Sequence, residues 1–252
     1  MATQIVSRRV APPVVASVRD VNAAFPENLA ALCASALFAG ISKRELMEIA
    51  GCARMRSFAR DELLYIQGHA VRNLIVLQSG SVKHTQLSPN GDEVLLRMSG
   101  TGEALNPQAD PNTCNHSCSA RAMEQCNAWI WEYNRLQQLL ERYPQLRQNI
   151  SRVLASRLHE LEERFREVAT EKVARRLALV MVRLLKQVGK TTELGIHLSL
   201  SREDLAQMTG TTLFTVSRLL SKWSELGLVI PKREAVIVKD AEGLENVDDE
   251  IS

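Results

Sequence analysis

Two cysteines and a histidine lie close together in the segment 110–119, which is rich in turn-forming residues. They are Cys114, His116 and Cys118, and thiolate and imidazole groups at this spacing are typical ligands of zinc or of part of an iron–sulfur cluster. Two neighbouring thiols are equally suited to a redox switch. The simplest alternative is a pair of unconnected thiols in a loop. No orienting acid is evident beside the thiol and the imidazole, which argues against a Cys/His nucleophile and an enzyme.

The remaining cysteines and histidines have simpler interpretations. The chain has five cysteines, an odd number, and 252 residues are enough to fold without disulfides, so free thiols are expected. Cys126 adjoins an apolar strand, and Cys33 and Cys52 lie on helical stretches, so all three are predicted to be small packing residues. His69 and His84 fall among predicted strands, where histidines are commonly present without a ligand.

A second group of residues, 201–223, has the pattern of two short helices joined by a turn. Ser201 can cap the first helix, and Asp204 favours its positive end. Gly210 permits a turn with positive φ, and Thr212 can cap the second helix. This arrangement predicts a helix-turn-helix, whose second helix enters the major groove of double-stranded DNA.

The second helix of this motif has two different faces. Its apolar face consists of Val216, Leu219, Leu220 and Trp223. The face expected to contact DNA consists of Thr211, Thr212, Leu213, Phe214, Ser217, Arg218 and Lys222. A guanidinium can bind guanine bidentately, so Arg218 is predicted to contact a base, while Ser201 and Arg202 are predicted to contact phosphate. Two short apolar runs around residues 231–234 then predict a hairpin, or wing, with basic residues at its tip.

The charge distribution agrees with a polyanionic partner. Residues 171–240 contain twelve Lys or Arg and seven Asp or Glu, whereas residues 241–252 contain five acids and no base. The first segment suits nucleic acid, and the second is predicted to be a solvated acidic tail. No apolar run approaches the ~20 residues of a membrane helix, and the N-terminus lacks a signal-peptide pattern. We therefore expect a cytoplasmic protein with no membrane contact.

The elements before the motif divide the chain into further parts. Residues 1–25 are predicted to be a flexible arm and residues 26–145 a domain of short antiparallel strands forming a roll, in which Asn90-Gly91 predicts a type I′ hairpin. Residues 28–38 and 43–52 predict short helices, with a capping box at Ser42 and Glu45.

A long helix, predicted over residues 146–170, follows the roll. It carries a heptad pattern of apolar residues, Leu154, Leu158, Leu161, Phe165 and Val168. This seam predicts a two-helix homodimer interface, with packing inside one chain as the alternative. The fold class is therefore α+β, and residues 171–240 form a winged helix-turn-helix domain.

From about residue 37 to residue 239 the chain resembles the Crp/Fnr family of bacterial transcription regulators. The resemblance rests on the helix-turn-helix, the long helix, the segments 102–104 and 176–178, and the roll glycines Gly68, Gly80, Gly91 and Gly100. It implies a sensory roll of the cyclic-nucleotide-binding type, a homodimer, DNA as partner and RNA polymerase as a further partner. A non-DNA-binding regulatory subunit is the remaining alternative, and the helix-turn-helix argues against it.

The sequence departs from the family pattern in three places. The Arg-Ser pair that holds a cyclic phosphate aligns with His116-Ser117, and the Thr-Ser pair that meets the purine aligns with Leu161-Glu162. Of the sugar-binding set, Glu103 is retained. In the second helix of the motif Phe214 replaces a glutamate that accepts a hydrogen bond from cytosine.

A cyclic nucleotide is therefore not expected, and the effector stays unidentified. The candidate effector loop comprises Glu103, Cys114, His116, Ser117 and Cys118. No cofactor is required by the sequence, while a metal ion and an iron–sulfur cluster remain open. The resemblance also implies haem as an alternative at His69 and His84, because relatives that sense gases hold haem in the roll.

Overall fold

The computed structural model describes residues 29–108 and 114–247, so the predicted flexible arm at 1–25 lies outside the described residues. The first helices are α1 (Ala30–Ala34), a 3₁₀ turn (Ala36–Phe38) and α2 (Lys43–Gly51). The predicted capping box of α2 is confirmed, because Ser42 and Glu45 exchange hydrogen bonds. The single helix predicted for 28–38 is wrong, because Ser35 adopts an extended conformation and its hydroxyl caps the 3₁₀ turn instead.

Seven strands form the roll that the sequence predicts. They are β1 (Arg54–Phe58), β2 (Leu63–Tyr65), β3 (Asn73–Ser79), β4 (Val82–Leu87), β5 (Glu93–Ser99), β6 (Ser119–Ala122) and β7 (Cys126–Glu132). They make two antiparallel sheets, with the orders β1-β7-β3 and β2-β6-β4-β5. Side chains such as Phe58, Leu77 and Val82 are fully buried in the roll. The predicted α+β class is therefore confirmed for this half of the chain.

The β4–β5 hairpin differs from its predicted turn type. The last pair of the ladder joins Leu87 to Glu93, and the loop between them is closed by the amide of Gly91 donating to the carbonyl of Ser88. Gly91 has a φ of 90°, whereas Asn90 is not among the described residues with positive φ. A type I′ turn needs positive φ at both central positions, so that prediction is wrong.

Three helices follow the roll: α3 (Tyr133–Arg142), α4 (Pro144–Thr170) and α5 (Val173–Val188). Pro144 occupies the first turn of α4, where its missing N–H costs nothing. The seam of α4 is largely exposed in the single chain. Its five apolar side chains are 42–78% exposed: Leu154, Leu158, Leu161, Phe165 and Val168.

The C-terminal part contains β8 (Lys190–Thr192), β9 (Gly195–Leu198), α6 (Arg202–Thr209), α7 (Leu213–Glu225), β10 (Val229–Pro231), β11 (Val236–Val238) and α8 (Ala241–Glu245). Its four strands form one sheet in the order β10-β11-β9-β8. The predicted wing hairpin is confirmed, while the β8–β9 hairpin was not predicted. The solvated tail is wrong for residues 241–247, because Leu244 and Val247 are buried. Residues 248–252 of that tail lie outside the described residues.

The roll and the C-terminal part share one hydrophobic core. Leu95 and Met98 of β5 join the buried cluster that contains Leu205 of α6 and Trp223 of α7. The backbones also approach closely, since a Cβ at Gly100 would overlap the carbonyl oxygen of Gln187. Within the described ranges, no helix is both long and apolar enough to cross a membrane.

Candidate nucleic-acid interface and roll cavity

The helix-turn-helix has the caps and the turn that its sequence predicts. The Oγ of Ser201 accepts a hydrogen bond from the amide of Asp204 at 3.0 Å, and the Asp204 carboxylate accepts from the Ser201 amide at 3.0 Å. Gly210 adopts the left-handed conformation, with φ 61° and ψ 42°. Thr212 caps α7 by accepting from the amide of Thr215 at 3.2 Å. One amide in the first turn of each helix therefore has the side-chain partner that local chemistry predicts.

The two faces of α7 are separated as predicted. The apolar face (Val216, Leu219, Leu220 and Trp223) is buried. On the opposite face Arg218 is exposed, and Ser217, Lys222 and Thr211 are half-buried. Phe214 is 77% exposed and Leu213 is 50% exposed, so neither packs inward. An exposed Phe near the start of this helix can contact a thymine methyl group.

The start of α6 contacts the roll as well as its own motif. Lys83 of β4 lies 3.6 Å from the carboxylate of Asp204. Ser201 and Arg202 are half-buried, and the Nε of Arg202 is buried without a hydrogen bond. Their contact with phosphate stays a prediction.

The wing presents two exposed cations, Lys232 and Arg233, at its tip. The adjacent Glu234 lies 3.5 Å from the guanidinium of Arg60 in the roll. The wing tip thus lies beside the roll, and its two basic side chains are exposed to solvent.

A cavity of about 350 Å³ lies between the roll and α4. Its polar lining includes Tyr65, Arg97, His116, Ser117, Cys118, Arg157, Glu160 and Arg164. Its apolar lining includes Leu96, Leu105, Pro107, Leu154, Leu158 and Leu161. The cavity therefore combines three guanidinium groups with an apolar wall, part of which belongs to the exposed seam of α4.

The predicted effector loop is only partly assembled around this cavity. His116 stacks on the ring of Tyr65 with 4.0 Å between centroids and an interplanar angle of 8°, and burial lowers the pKa of His116 to about 4. Ser117 and Cys118 also line the cavity, whereas Cys114 does not. Glu103 lines a neighbouring cavity of about 530 Å³ instead, and its carboxylate lies 3.8 Å from Arg97.

His84 is fully buried beneath the cavity, although its position in a short strand gave no sign of this. Its Nδ1 lies 3.0 Å from the hydroxyl of Tyr65 and 3.9 Å from the Sγ of Cys118. Its Nε2 lies 3.0 Å from the hydroxyl of Ser99. Burial, reinforced by Arg97 and Arg157, holds the pKa of His84 well below its usual value. The imidazole is therefore neutral.

The metal interpretations receive no support from these positions. Within 29–108 and 114–247, no three His, Cys, Asp or Glu side chains are grouped so that they could hold a metal ion. Haem does not fit His84, because hydroxyl groups engage both ring nitrogens. The thiol switch stays a prediction, and Cys118 is the thiol placed at the cavity. Cys33 and Cys52, predicted to be core residues, are exposed, while Cys126 is buried as predicted.

Three arginines line the cavity without any recognisable sequence pattern: Arg97, Arg157 and Arg164. Arg97 lies on an edge strand, and the other two alternate with the seam residues of α4, where charged side chains are normally solvated. No motif marks them. The apolar seam of α4 was one sequence feature that could have indicated them, because a guanidinium next to an apolar stripe is partly desolvated.

Comparison with known proteins agrees with both halves of the molecule. A cyclic nucleotide-binding domain model matches residues 55–143, and a Crp-like helix-turn-helix domain model matches residues 171–247. A roll of this type followed by this motif defines a class of DNA-binding transcription regulators. The chain belongs to the Crp/Fnr family.

Individual relatives are transcription regulators and not enzymes. The chain is 27% identical to the cyclic AMP receptor protein of Thermus thermophilus, over 84% of this chain and 96% of that protein. It is 24% identical to electron transport regulator A of Shewanella oneidensis, over 74% of this chain and 75% of that protein. The names of these two relatives therefore do not point to one common signal.

Solved structures share the same fold. The c-di-GMP-responsive global regulator CLP of Xanthomonas campestris has a TM-score of 0.67 and 22% identity, covering 78% of this chain and 99% of that one. FixK2 of Bradyrhizobium japonicum has a TM-score of 0.68 and 19% identity, covering 78% and 97%. At this identity the likeness establishes the architecture and leaves the effector open.

Proposed function

We propose that the protein is a homodimeric regulator that recognises an operator through α7 and responds to a small molecule bound in the roll cavity. The observation that carries this proposal is the exposed face of α7. Arg218 and Phe214 stand out from a helix whose other face is buried. Base edges in the major groove are the natural partners of such side chains.

The dimer part of the proposal rests on α4. Leu158, Phe165 and Val168 are each more than half exposed on one stripe of a 27-residue helix. A second copy of the same helix would bury this stripe as a coiled coil. Two copies of α7 would then meet two half-sites, so the operator is expected to be an inverted repeat with half-sites about 34 Å apart.

Several finer assignments belong to the same proposal. They comprise base contact by Arg218, phosphate contact by Ser201 and Arg202, contact with RNA polymerase and a cytoplasmic location. The division into a roll (26–145), a dimerisation helix (146–170) and a DNA-binding domain (171–240) is also part of it.

A cyclic nucleotide is excluded as effector in this proposal. His116-Ser117 stands where the family pattern has the phosphate-binding Arg-Ser pair, and Leu161 rather than a hydroxyl residue lines the cavity from α4. We expect that millimolar cyclic AMP neither binds nor changes DNA affinity. Titration calorimetry on the full chain tests this, and a clear isotherm would contradict it.

Selection of duplexes from a random-sequence pool tests DNA recognition by the full chain. We expect enrichment of an inverted repeat that binds at least 10³-fold more tightly than random DNA at one fixed salt concentration. A pool that remains random after several rounds, with all duplexes bound equally, would refute the proposed function.

A further inference from the structure

The cavity between the roll and α4 holds two guanidinium groups on the same stretch of backbone. Arg97 of β5 donates to the hydroxyl of Ser99 at 2.6 Å and to the carbonyl of Leu105 at 2.8 Å. Arg157 of α4 donates to the same Leu105 carbonyl at 3.3 Å and to the carbonyl of Ala104. Each guanidinium has five N–H donors, and these contacts use only neutral acceptors. Both side chains therefore retain donors for an anion.

The charge of this region is not balanced by carboxylates. Arg164, the third guanidinium of the lining, donates to the carbonyl of Leu96 at 2.5 Å. Against these three cations stand Glu160 in the lining and Glu103, 3.8 Å from Arg97. One positive charge is left over in a partly desolvated place. Burial, followed by repulsion from Arg97, lowers the pKa of Arg157 to about 10, so a nearby anion would stabilise this group.

A chain of hydrogen bonds supplies a further donor to the cavity. The Oγ of Ser99 accepts from Arg97 and lies 3.0 Å from the Nε2 of His84, whose Nδ1 lies 3.0 Å from the hydroxyl of Tyr65. In the tautomer in which Ser99 donates to Nε2, the proton of the neutral imidazole resides on Nδ1 and is donated to the Tyr65 hydroxyl. The Tyr65 hydroxyl has the Leu105 carbonyl as an acceptor at 3.5 Å, the limit of a hydrogen bond. Its proton is available to a stronger acceptor.

The rest of the lining is apolar. Leu105 and Pro107 come from the loop after β5, and Leu154, Leu158 and Leu161 come from α4. The stacked rings of Tyr65 and His116 form another wall. A volume of about 350 Å³ lies within the range of small-molecule sites.

We propose that this cavity binds a small organic monoanion, with its acidic group at Arg97, Arg157 and Tyr65 and its apolar ring or chain against the leucines of α4. The proposal rests on the proposed function and names its effector class. Arg157 reaches this place from α4 and also donates to the carbonyls of residues 104 and 105 in the roll. Anion binding is thereby linked to the packing of the roll against the helix that carries the dimer seam.

A matched pair of probes tests the charge requirement on the unmodified full chain. 2-Naphthoate and 2-naphthamide have nearly the same shape, and only the first is an anion. By titration calorimetry we expect naphthoate to bind once per chain and at least tenfold more tightly than naphthamide. Equal affinities, or no measurable binding of naphthoate at millimolar concentration, would overturn the proposal.

Substitutions locate the site. Arg97→Gln and Arg157→Gln should each weaken naphthoate at least tenfold, and Arg157→Lys should weaken it less than Arg157→Gln because the charge is kept. Arg147→Gln is the matched control, since Arg147 is exposed on the same helix and lines neither cavity. Wild-type affinity in both Gln variants would also overturn the proposal. Circular dichroism and duplex binding without naphthoate verify that each variant is folded.

The two proposals fail in different ways. If naphthoate does not bind while an operator is still selected from random DNA, the anion site is wrong and the proposed function stands. If naphthoate binds through Arg97 and Arg157 while no duplex is preferred, the site stands and the proposed function is wrong.

Discussion

Arg218 and Arg202 are cations on the two helices of the same motif, and they are expected to contact different parts of the duplex. Arg218 is exposed on the free face of α7, whereas Arg202 lies at the start of α6 with its Nε buried. A base contact carries sequence information, and a phosphate contact does not. The two side chains should therefore be separable by experiment.

Arg218→Ala is expected to reduce binding to the operator by ~1–3 kcal/mol and binding to random DNA much less. Arg202→Ala is the comparison, and it should weaken both duplexes alike and lower the salt slope by about one. Binding of both variants to operator and random duplexes at several salt concentrations provides the measurement. Equal losses on the two duplexes with Arg218→Ala would remove its role in base recognition.

His84 makes the stability of the roll depend on pH. The folded state excludes a proton from this buried imidazole, and its pKa lies well below the usual value of 6.5. The unfolded chain binds that proton as the pH falls below about 6.5. The free energy of unfolding should therefore be unaffected by His84 above pH 7 and should decrease by ~1.4 kcal/mol per pH unit below about pH 6.

His84→Gln should remove this part of the slope, even where it lowers stability at every pH. Urea unfolding between pH 5 and 8 measures the slope. His159→Gln is the control for removal of an imidazole, because His159 is exposed on α4. Any pH dependence of the unfolding free energy that remains in His84→Gln is assigned to His116, whose pKa is lowered by burial to about 4. Identical slopes in wild type and His84→Gln would contradict this account.

Among the described elements, α4 carries a long stripe of apolar side chains that is largely exposed in the single chain. Its seam has the heptad spacing of a coiled coil, and five apolar side chains on one stripe face solvent in the single chain. Leu154, Leu158 and Leu161 serve both this stripe and the roll cavity. Dimerisation and effector binding would therefore share side chains.

Replacing Leu158 and Phe165 together with Glu should convert a dimer into a monomer, because four carboxylates would enter an apolar seam of the pair. The fold should survive, since both side chains are exposed in the single chain. Leu194→Glu is a suitable control, being 59% exposed and outside α4. Analytical sedimentation at micromolar concentration gives the result, and a monomeric wild type would disprove the seam interface.

For the whole molecule, the roll and the DNA-binding part are joined through a common core. Leu95 and Met98 lie on β5 of the roll, and their side chains pack in one cluster with residues of α5, α6 and α7. A change at this junction should affect both parts. In independent domains on a flexible linker, a substitution in one domain would change the stability of that domain alone.

Leu95→Ala is expected to cost ~2–5 kcal/mol of unfolding free energy through the cavity it leaves. Scanning calorimetry should show one transition that moves to lower temperature as a unit. Leu87→Ala on the neighbouring strand is the control, because Leu87 is 54% exposed and its loss should change little. Two transitions, of which only one moves, would show that the parts unfold separately.

Local chemistry explains what could be predicted from the sequence alone. The capping boxes at Ser42 and Ser201, the positive φ of Gly210 and the two faces of α7 each depend on residues within a few positions of one another. Such contacts are encoded in spacing. For this reason the helix-turn-helix, the roll and the family resemblance could be predicted from the sequence.

Tertiary structure decided what spacing cannot express. Arg97 lies on β5 and Arg157 on α4, and only the packing of α4 on the roll brings them to one cavity. The exposure of Cys33 and Cys52 also depends on which side of a short helix meets a neighbour. Burial and charge at these positions are set by residues distant in the chain, so no local pattern determines them.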